Sequence, residues 1–493
     1  MYVAKSCATL SSECIARGAI TIRIFKVIII LLLAMLMAFS AFACDSASED
    51  SYEPLPEEIH EPQPEPEVDE PLPYEVGDDY ETDYETEADY DVWDFENFAD
   101  VREASFYTGL PHGYIAVGFI EYMSDNFAGR SPFTYRERET AVWIIEELLA
   151  MGHDWENISV QEFTYEELIE RDIGVIMPPR WDLISSVTIL GAERFYQLRQ
   201  DRGSQNVILT MPGQSESKII VGAHYDSVPY PGASDNASGV ALLLESAQRM
   251  MEIDHYHTIV YVFFGAEEVG LFGAYIYYYS LTAEEHGNVV MMINADVLIE
   301  GPYIIYGTGT APQFDDDTAE IVAGALVELF VGRTFEAVGD VFSAEYFEEW
   351  TVNLTEHFAA NPEWTVIQGL REGLVDTVET DTSLRVDAIA AELNYAHDFE
   401  LLAIPEGIAF PSDNLAFFMS HTVVNLVGLE RVENIDGERI PMGNQIHNDF
   451  AATILHSPLD EFNHIEYLWP GMMLANMNAF GLFIEAILTA VFE

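Results

Sequence analysis

Three short apolar runs in the middle of the chain constrain its fold more than any other feature. They span Ile219–Ala223, Ile259–Phe264 and Val289–Ala295, and each is rich in β-branched or aromatic residues and short enough for a strand. A helix-like segment, Ala237–Met251, separates the first run from the second. Strands that alternate with helices predict an α/β fold with an open sheet.

Each of these runs is followed by side chains that commonly bind metal ions. His224 follows the first run, Glu267 and Glu268 follow the second, and Asp296 follows the third. Ligands of an open α/β sheet bind outside the carboxyl ends of its strands, so these donors are expected to face one crevice. Asp235, in the turn before the helix-like segment, adds a further carboxylate.

A hydrolytic centre with two metal ions needs a carboxylate that bridges both ions, further donors on each ion and a base for the shared water. These strand ends supply the residue types for all of these roles. Glu267 and Glu268 can play different parts, because successive side chains of an extended segment point in different directions. Asp226, two residues after His224, can accept the imidazole N–H that does not bind metal.

Each of these residues also has a purely structural interpretation. Adjacent glutamates arise by chance on the solvated faces of an acidic chain, Asp235 is a favoured type of residue at a helix N-cap, and Asp296 can simply end a strand. Glu267 and Glu268, however, lie between an apolar strand and the segment Val269–Gly273, where a solvated face is not expected. Their position therefore favours the metal interpretation.

The order of the motifs GAHYDS, GASDNASGVA, GAEEVGLFG, NAD and LHSPLD resembles the co-catalytic zinc exopeptidases typified by bacterial and yeast vacuolar aminopeptidases. That superfamily also contains glutamate carboxypeptidases and glutaminyl cyclases. The resemblance extends from about residue 104 to the C-terminus and is poor over residues 301–408. It implies a single α/β catalytic domain over residues 104–493, with a mixed, mostly parallel central sheet flanked by helices and an insertion or cap at 301–408.

The resemblance also implies two zinc ions bridged by Asp235, peptide substrates, and Glu267 as the general base that passes the proton of the water to the leaving amine. The remaining implied ligands are His224 and Asp296 on one ion, and Glu268 and His456 on the other. Mixed imidazole and carboxylate donors favour zinc, although manganese or cobalt fits the same set.

Two histidines are candidates for the last metal ligand along the chain. His447 lies shortly before His456, and the residues after it repeat the spacing of the first motif. We favour His456 because the residues that follow it match the late motif of the superfamily. Asp413 and Asp460 are candidates for groups that contact the ligands, and Asn414 stands where relatives often carry a histidine, so the pocket is expected to differ there.

The first 44 residues resemble a secretion signal. Cationic residues precede an apolar run, Val27–Ala43, and Ala41-Phe42-Ala43-Cys44 resembles a bacterial lipobox. We therefore expect residues 1–44 to be a signal or lipoprotein anchor that tethers an extracellular enzyme to a bacterial membrane, with an uncleaved anchor or a plainly secreted form as alternatives. Residues 45–103, rich in Pro, Glu, Asp and Tyr, predict a disordered acidic linker.

Charge and hydropathy limit the other possible partners. The formal net charge of −65 argues against a nucleic-acid partner, because such a partner requires a basic face. The apolar C-terminal run Met472–Phe492 is interrupted by Asn476, Asn478 and Glu485. These polar residues favour a helix that covers the core over a membrane span.

The sequence thus predicts an extracellular zinc aminopeptidase, with two alternatives on the same fold. One is a glutaminyl cyclase-like acyltransferase that works with a single zinc ion, and the other is a catalytically inactive surface binding domain. The joint presence of His224 and Asp296 counts against the first alternative. Retention of all the implied ligands counts against the second.

Overall fold

The computed structural model of the chain describes residues 109–164, 203–312, 316–338, 377–397, 399–404, 412–429, 432–435, 438–441 and 454–492, with isolated positions between 351 and 369. All of these residues belong to one compact unit, Asp83–Glu493. The predicted anchor at 1–44, the predicted linker at 45–103 and His447 lie outside the described residues.

An eight-stranded sheet is the centre of the fold. Its strands are β1 (Ile158–Thr164), β2 (Gly203–Met211), β3 (Ser215–His224), β4 (His257–Phe264), β5 (Val289–Ala295), β6 (Tyr303–Gly309), β7 (Leu401–Ala403) and β8 (Val423–Leu429). Their order across the sheet is β1-β2-β4-β3-β5-β8-β6-β7. The neighbours β4, β3, β5 and β8 run parallel, and antiparallel pairs join β1 to β2, β2 to β4 and β8 to β6. This topology confirms the predicted mixed, mostly parallel sheet.

Helices cover both faces of this sheet, as the continuous apolar strands require. They are α1 (Tyr114–Asn126), α2 (Tyr135–Met151), α3 (Ser238–Met250), α4 (Phe272–Ser280), α5 (Ala283–Asn288), α6 (Asp316–Val338), α7 (Asp381–His397), α8 (Leu415–Phe418), α9 (Phe462–Leu468) and α10 (Met472–Thr489). Ile219 and Val221 of β3 pack into the core beneath α1, α2, α3, α7 and α10, whereas Ile220 packs into the core beneath α4, α6 and α8. A separate hairpin joins β9 (Val432–Ile435) to β10 (Glu438–Pro441).

Capping residues define both ends of helix α2. The side chain of Thr134 accepts a hydrogen bond from the N–H of Glu137 and so caps the start of α2. The helix ends at Gly152, whose φ of 103° suits a residue without a Cβ atom. Both bounds of α2 thus follow from residues at the ends of the helix itself.

The 301–408 segment does not lie wholly outside the sheet. Its first residues form β6, which pairs with β8, and its last residues form β7, which pairs with β6. Helix α7 of the same segment packs against α10 and β6. Both ends of this segment thus contribute strands to the central sheet, and the insertion or cap at 301–408 stays a prediction.

Helix α10 packs against the core. It has the length and hydropathy of a membrane span, but 56% of that window is buried inside the structure, and Phe480, Phe483 and Ile484 are completely buried. The buried Asn476 donates hydrogen bonds to the carbonyl oxygens of Leu298 (3.1 Å) and Gly301 (2.8 Å). The helix thus fixes the loop that follows β5, as expected for a core helix.

Replacing Asn476 by alanine should destabilise the fold by about 1–3 kcal/mol, because buried carbonyl oxygens would lose their donor. Urea unfolding measures the change. Asn478→Ala on the same helix, at a partly exposed position, should change the free energy of unfolding by less than about 0.5 kcal/mol. Equal effects of the two substitutions would show that the loop does not depend on this contact.

Candidate metal centre

The order of the strands brings the predicted donors to one edge of the sheet. Strand β3 lies between β4 and β5, and all three run in the same direction. His224, at the end of β3, pairs in register with Phe264 at the end of β4. The segments that carry Glu267, Glu268 and Asp296 therefore start beside His224.

Two carboxylates face the same nitrogen of His224. Its Nε2 lies 3.1 Å from Oδ1 of Asp235 and 3.2 Å from Oδ1 of Asp296. All three side chains are buried. A neutral imidazole offers at most one N–H at that nitrogen, so hydrogen bonding satisfies only one of the two carboxylates. Convergence of three electron-pair donors on one point fits a cation held among them.

A second group of donors lies on the other side of Asp235. Nε2 of His456 is 3.0 Å from Oδ2 of Asp235 and 3.3 Å from Oε2 of Glu268. The two carboxylate oxygens of Asp235 thus face different imidazoles, which is the placement required of a bridging ligand. One ligand atom each from His224, Asp235 and Glu268 also lie within 4.8 Å of one another.

The turn that carries Asp235 is held from two directions. Main-chain N–H groups of Ser234 and Asp235 donate to the carboxylate of Asp460 at 2.6 and 3.1 Å. On the other side, Nδ2 of Asn236 donates to the carbonyl oxygen of Ala295 at the end of β5. Asp460 therefore contacts the backbone of Asp235, in the surrounding position that the sequence suggested for it.

Residues with a left-handed backbone conformation occur in three segments of the site. Ala266, Val297 and His456 have φ values of 57°, 54° and 56°. This conformation costs a residue with a side chain roughly 1–2 kcal/mol, so it persists where surrounding contacts hold it. The backbone of the site is thus constrained by tertiary contacts and not by local preference.

Asp226 serves the site through both its side chain and its main chain. Nδ1 of His224 lies 3.6 Å from Oδ1 of Asp226 and 3.2 Å from its carbonyl oxygen. The Asp226 carboxylate also accepts the N–H groups of Glu267 and Glu268, each at 3.1 Å. The sequence predicted the carboxylate of Asp226 as the acceptor of the imidazole N–H, whereas the nearer acceptor is its carbonyl oxygen. The hydrogen bonds from the N–H groups of the two glutamates were not predicted.

Sequence reasoning missed Arg130, which is completely buried beside the site. Its guanidinium donates to the carbonyl oxygens of Tyr225 (2.6 Å), Pro231 (2.6 Å) and Gly232 (2.7 Å). These carbonyls belong to the loop between His224 and Asp235. A single arginine beside a glycine is a weak signal, since only its packing distinguishes it from a surface residue.

The site contains an excess of acidic groups. Burial, reinforced by the charge of Asp235, raises the pKa of Glu268 to about 8, and burial raises the pKa of Asp460 to about 7. Burial opposes protonation of His456, but the carboxylates of Glu268 and Asp235 raise its pKa to about 10. The carboxylates repel one another and retain protons, so bound cations would stabilise their ionised forms.

Two further buried carboxyl groups lie near the donors. Asp413, predicted as a surrounding group, and Glu300, not predicted, have no hydrogen-bond partner for either oxygen within the described part of the chain. Burial raises the pKa of both groups well above the ordinary range, and the carboxylate of Asp296 raises both further. Both add to the excess of acidic groups around the site.

This arrangement, imidazoles and carboxylates buried together at the carboxyl edge of an α/β sheet, is typical of a metal-dependent hydrolase. Residues 206–346 match the model of Peptidase family M28. The match confirms the resemblance to the co-catalytic zinc exopeptidases that the sequence motifs indicated.

Individual relatives are similar over parts of the chain. "Probable lipoprotein aminopeptidase LpqL" of Mycobacterium tuberculosis is 27% identical over 226 residues, which are 41% of this chain and 45% of that protein. Aminopeptidase YwaD of Bacillus subtilis is 40% identical over 81 residues, 16% of this chain and 18% of that protein. This chain thus spans less than half the length of each of these two relatives. The solved structure of BSAP, a zinc aminopeptidase from Bacillus subtilis, has a TM-score of 0.44 at 15% identity and covers 75% of this chain and 95% of its own.

Replacing Arg130 by methionine should lower the free energy of unfolding by at least about 3 kcal/mol, because several buried carbonyl oxygens would lose a charged donor. Lysine at the same position should recover part of this loss, since it keeps the charge but not the planar fork. Urea unfolding of the metal-free protein measures both changes.

The matched control is Arg136→Met. Arg136 is exposed and pairs with Glu139 at 3.2 Å, and surface pairs of this kind contribute at most about 1 kcal/mol. If the methionine variants at positions 130 and 136 were equally stable, the proposed hold of Arg130 on the loop would be wrong.

Proposed function

We propose that this chain is a metal-dependent aminopeptidase that removes N-terminal residues from peptides at a site for two zinc ions. The observation that carries the proposal is the position of Asp235, whose two carboxylate oxygens face two different imidazoles. The match to Peptidase family M28 and the similarity to proteins named aminopeptidases support the same conclusion.

The side chains fit the donor requirements of two zinc ions, which bind imidazole and carboxylate groups. His224 and Asp296 would hold one ion, His456 and Glu268 would hold the other, and Asp235 would bridge them. When bound, the ions would polarise the peptide carbonyl and make water a stronger nucleophile at neutral pH.

Glu267 is the residue that we assign to proton transfer. Both glutamates are partly exposed, but Glu268 faces His456, so Glu267 is the one that we assign to the water. The carboxylate would take a proton from the attacking water and give it to the amine that leaves. Asp226 holds the N–H groups of both glutamates and so would keep the two side chains in their separate roles.

The domain organisation and location form part of the proposal. We place an anchor at residues 1–44, a linker at 45–103 and the catalytic domain at 104–493, with the enzyme outside a bacterial cell and tethered as a lipoprotein. The order of cationic residues, apolar run and Cys44 supports this location, as does the similarity to a relative named a lipoprotein aminopeptidase.

An assay on aminoacyl reporter substrates tests the activity directly. Substrates with a free α-amine should be cleaved, their N-blocked counterparts should not, and a chelator should abolish cleavage until zinc is restored. Full activity at one zinc ion per chain, with cyclisation of N-terminal glutamine, would instead identify the cyclase alternative. Two bound zinc ions without any turnover would identify the inactive binding domain.

Substitution of the adjacent glutamates separates metal binding from proton transfer. Glu267→Gln should lower kcat by about 10²- to 10⁴-fold and keep two zinc ions per chain, because it removes a base and not a ligand. Glu268→Gln should lower the zinc content. Metal analysis and steady-state kinetics on the same preparations measure both effects.

Glu284→Gln, at an exposed position of α5, serves as the control and should change neither quantity. Normal turnover of Glu267→Gln would contradict the assignment of the base, whatever its zinc content.

A further inference from the structure

Four consecutive N–H groups of the turn that carries Glu267 bind side chains from other elements. The N–H of Gly265 donates to Oδ1 of Asn206 on β2, and the N–H of Ala266 donates to Oε1 of Glu137 on α2, both at 3.1 Å. The next two N–H groups donate to the carboxylate of Asp226, as described above. This turn, residues 265–268, is therefore oriented through its main chain from three sides.

Glu137 connects this turn to two other elements. It lies in the first turn of α2 and is completely buried. Its Oε2 accepts the N–H of Phe133 at 2.5 Å, and its Oε1 accepts the hydroxyl of Ser204 at 2.6 Å together with the N–H of Ala266. One carboxylate thus joins the start of a helix, a strand and the segment before Glu267.

Capping of α2 does not account for this arrangement. Thr134 already caps the helix by accepting the N–H of Glu137. A glutamate at this position of a capping box reaches back to the N–H of the capping residue itself. Here the carboxylate instead reaches the residue before it and crosses to Ala266, which has a left-handed backbone with φ of 57°.

We propose that Glu137 is a positioning residue for the proposed general base. By accepting the N–H of Ala266, it holds the left-handed conformation that directs the side chain of Glu267 towards the metal centre. The inference rests on the proposed function, because it assumes that Glu267 transfers the proton. The hydrogen bonds of the Glu137 carboxylate involve Phe133, Ser204 and Ala266, and none of these is a proposed metal ligand. Glu137 should therefore affect the rate of the reaction and not the binding of zinc.

Kinetics of Glu137→Gln test the proposal. The variant should lower kcat by about 10- to 100-fold, a loss comparable to that caused by removing groups that orient metal ligands. KM should change by less than about twofold and zinc should stay at two ions per chain, because substrate and metal contacts are retained.

A second substitution in the same background distinguishes positioning from a general loss of structure. Ala266→Gly combined with Glu137→Gln should recover part of kcat, because glycine adopts a positive φ without steric cost. Absence of any recovery would overturn the proposal, since the effect would then not pass through the backbone of Ala266.

Glu147→Gln is the matched control. Glu147 is a buried glutamate on the same helix, and its carboxylate accepts the Nε1–H of Trp143 at 3.1 Å. It should leave kcat unchanged. Equal losses of kcat in the variants at positions 137 and 147 would overturn the proposal, as would loss of zinc from Glu137→Gln.

If Glu137→Gln does not fold, Ser204→Ala provides the test. It removes one hydrogen bond that orients the Glu137 carboxylate and should lower kcat by roughly 2- to 10-fold, with KM and zinc content unchanged. An unchanged kcat would overturn the proposal. The proposed function is tested separately: if Glu267→Gln is inactive while the Glu137 variant is fully active, only the positioning role is wrong.

Discussion

The carboxylate of Asp235, placed between the imidazoles of His224 and His456, is the interaction on which the rest of the site depends. A buried carboxylate is costly unless positive charge or hydrogen-bond donors compensate it. Asp296 and Glu268 face the same two imidazoles, and the imidazoles alone cannot satisfy every carboxylate oxygen. A cation-binding function follows from this excess, because bound cations would stabilise the ionised carboxylates in this buried volume.

Buried polar side chains hold the loops of the site by binding their main chain. The carboxylates of Glu137, Asp226 and Asp460 accept N–H groups, whereas the guanidinium of Arg130 donates to carbonyl oxygens. Each of these contacts joins segments that are far apart in the chain, and each satisfies a backbone group of a loop. Such contacts explain how residues with side chains, among them Ala266, keep a left-handed backbone beside the site.

The sequence predicted the central strands well because their signals are local. Strands β3, β4 and β5 each contain a mostly apolar run, which matches the burial of both faces of a parallel sheet. Strand β1 was not predicted, because its burial alternates irregularly between Ile158 and Phe163. Strands β6 and β7 were assigned to an insertion because the motifs of the superfamily match that segment poorly. Strand β6 joins the sheet by pairing with β8, and β7 joins it by pairing with β6. The sequence of a single strand does not show its pairing partner.

The sequence by itself predicted which side chains follow the strands, because apolar runs and strand ends are properties of neighbouring positions. These side chains include the candidate donors His224, Glu268 and Asp296. Folding of distant segments was needed to place His456 against Asp235 and to bring Arg130 and Glu137 beside the loops that they hold. The physical reason is that these contacts depend on strand order. Strand β3 lies between β4 and β5, so three separate strand ends meet, and His456 and Asp460 contact the turn beside them. Spacing along the chain carries no information about that order.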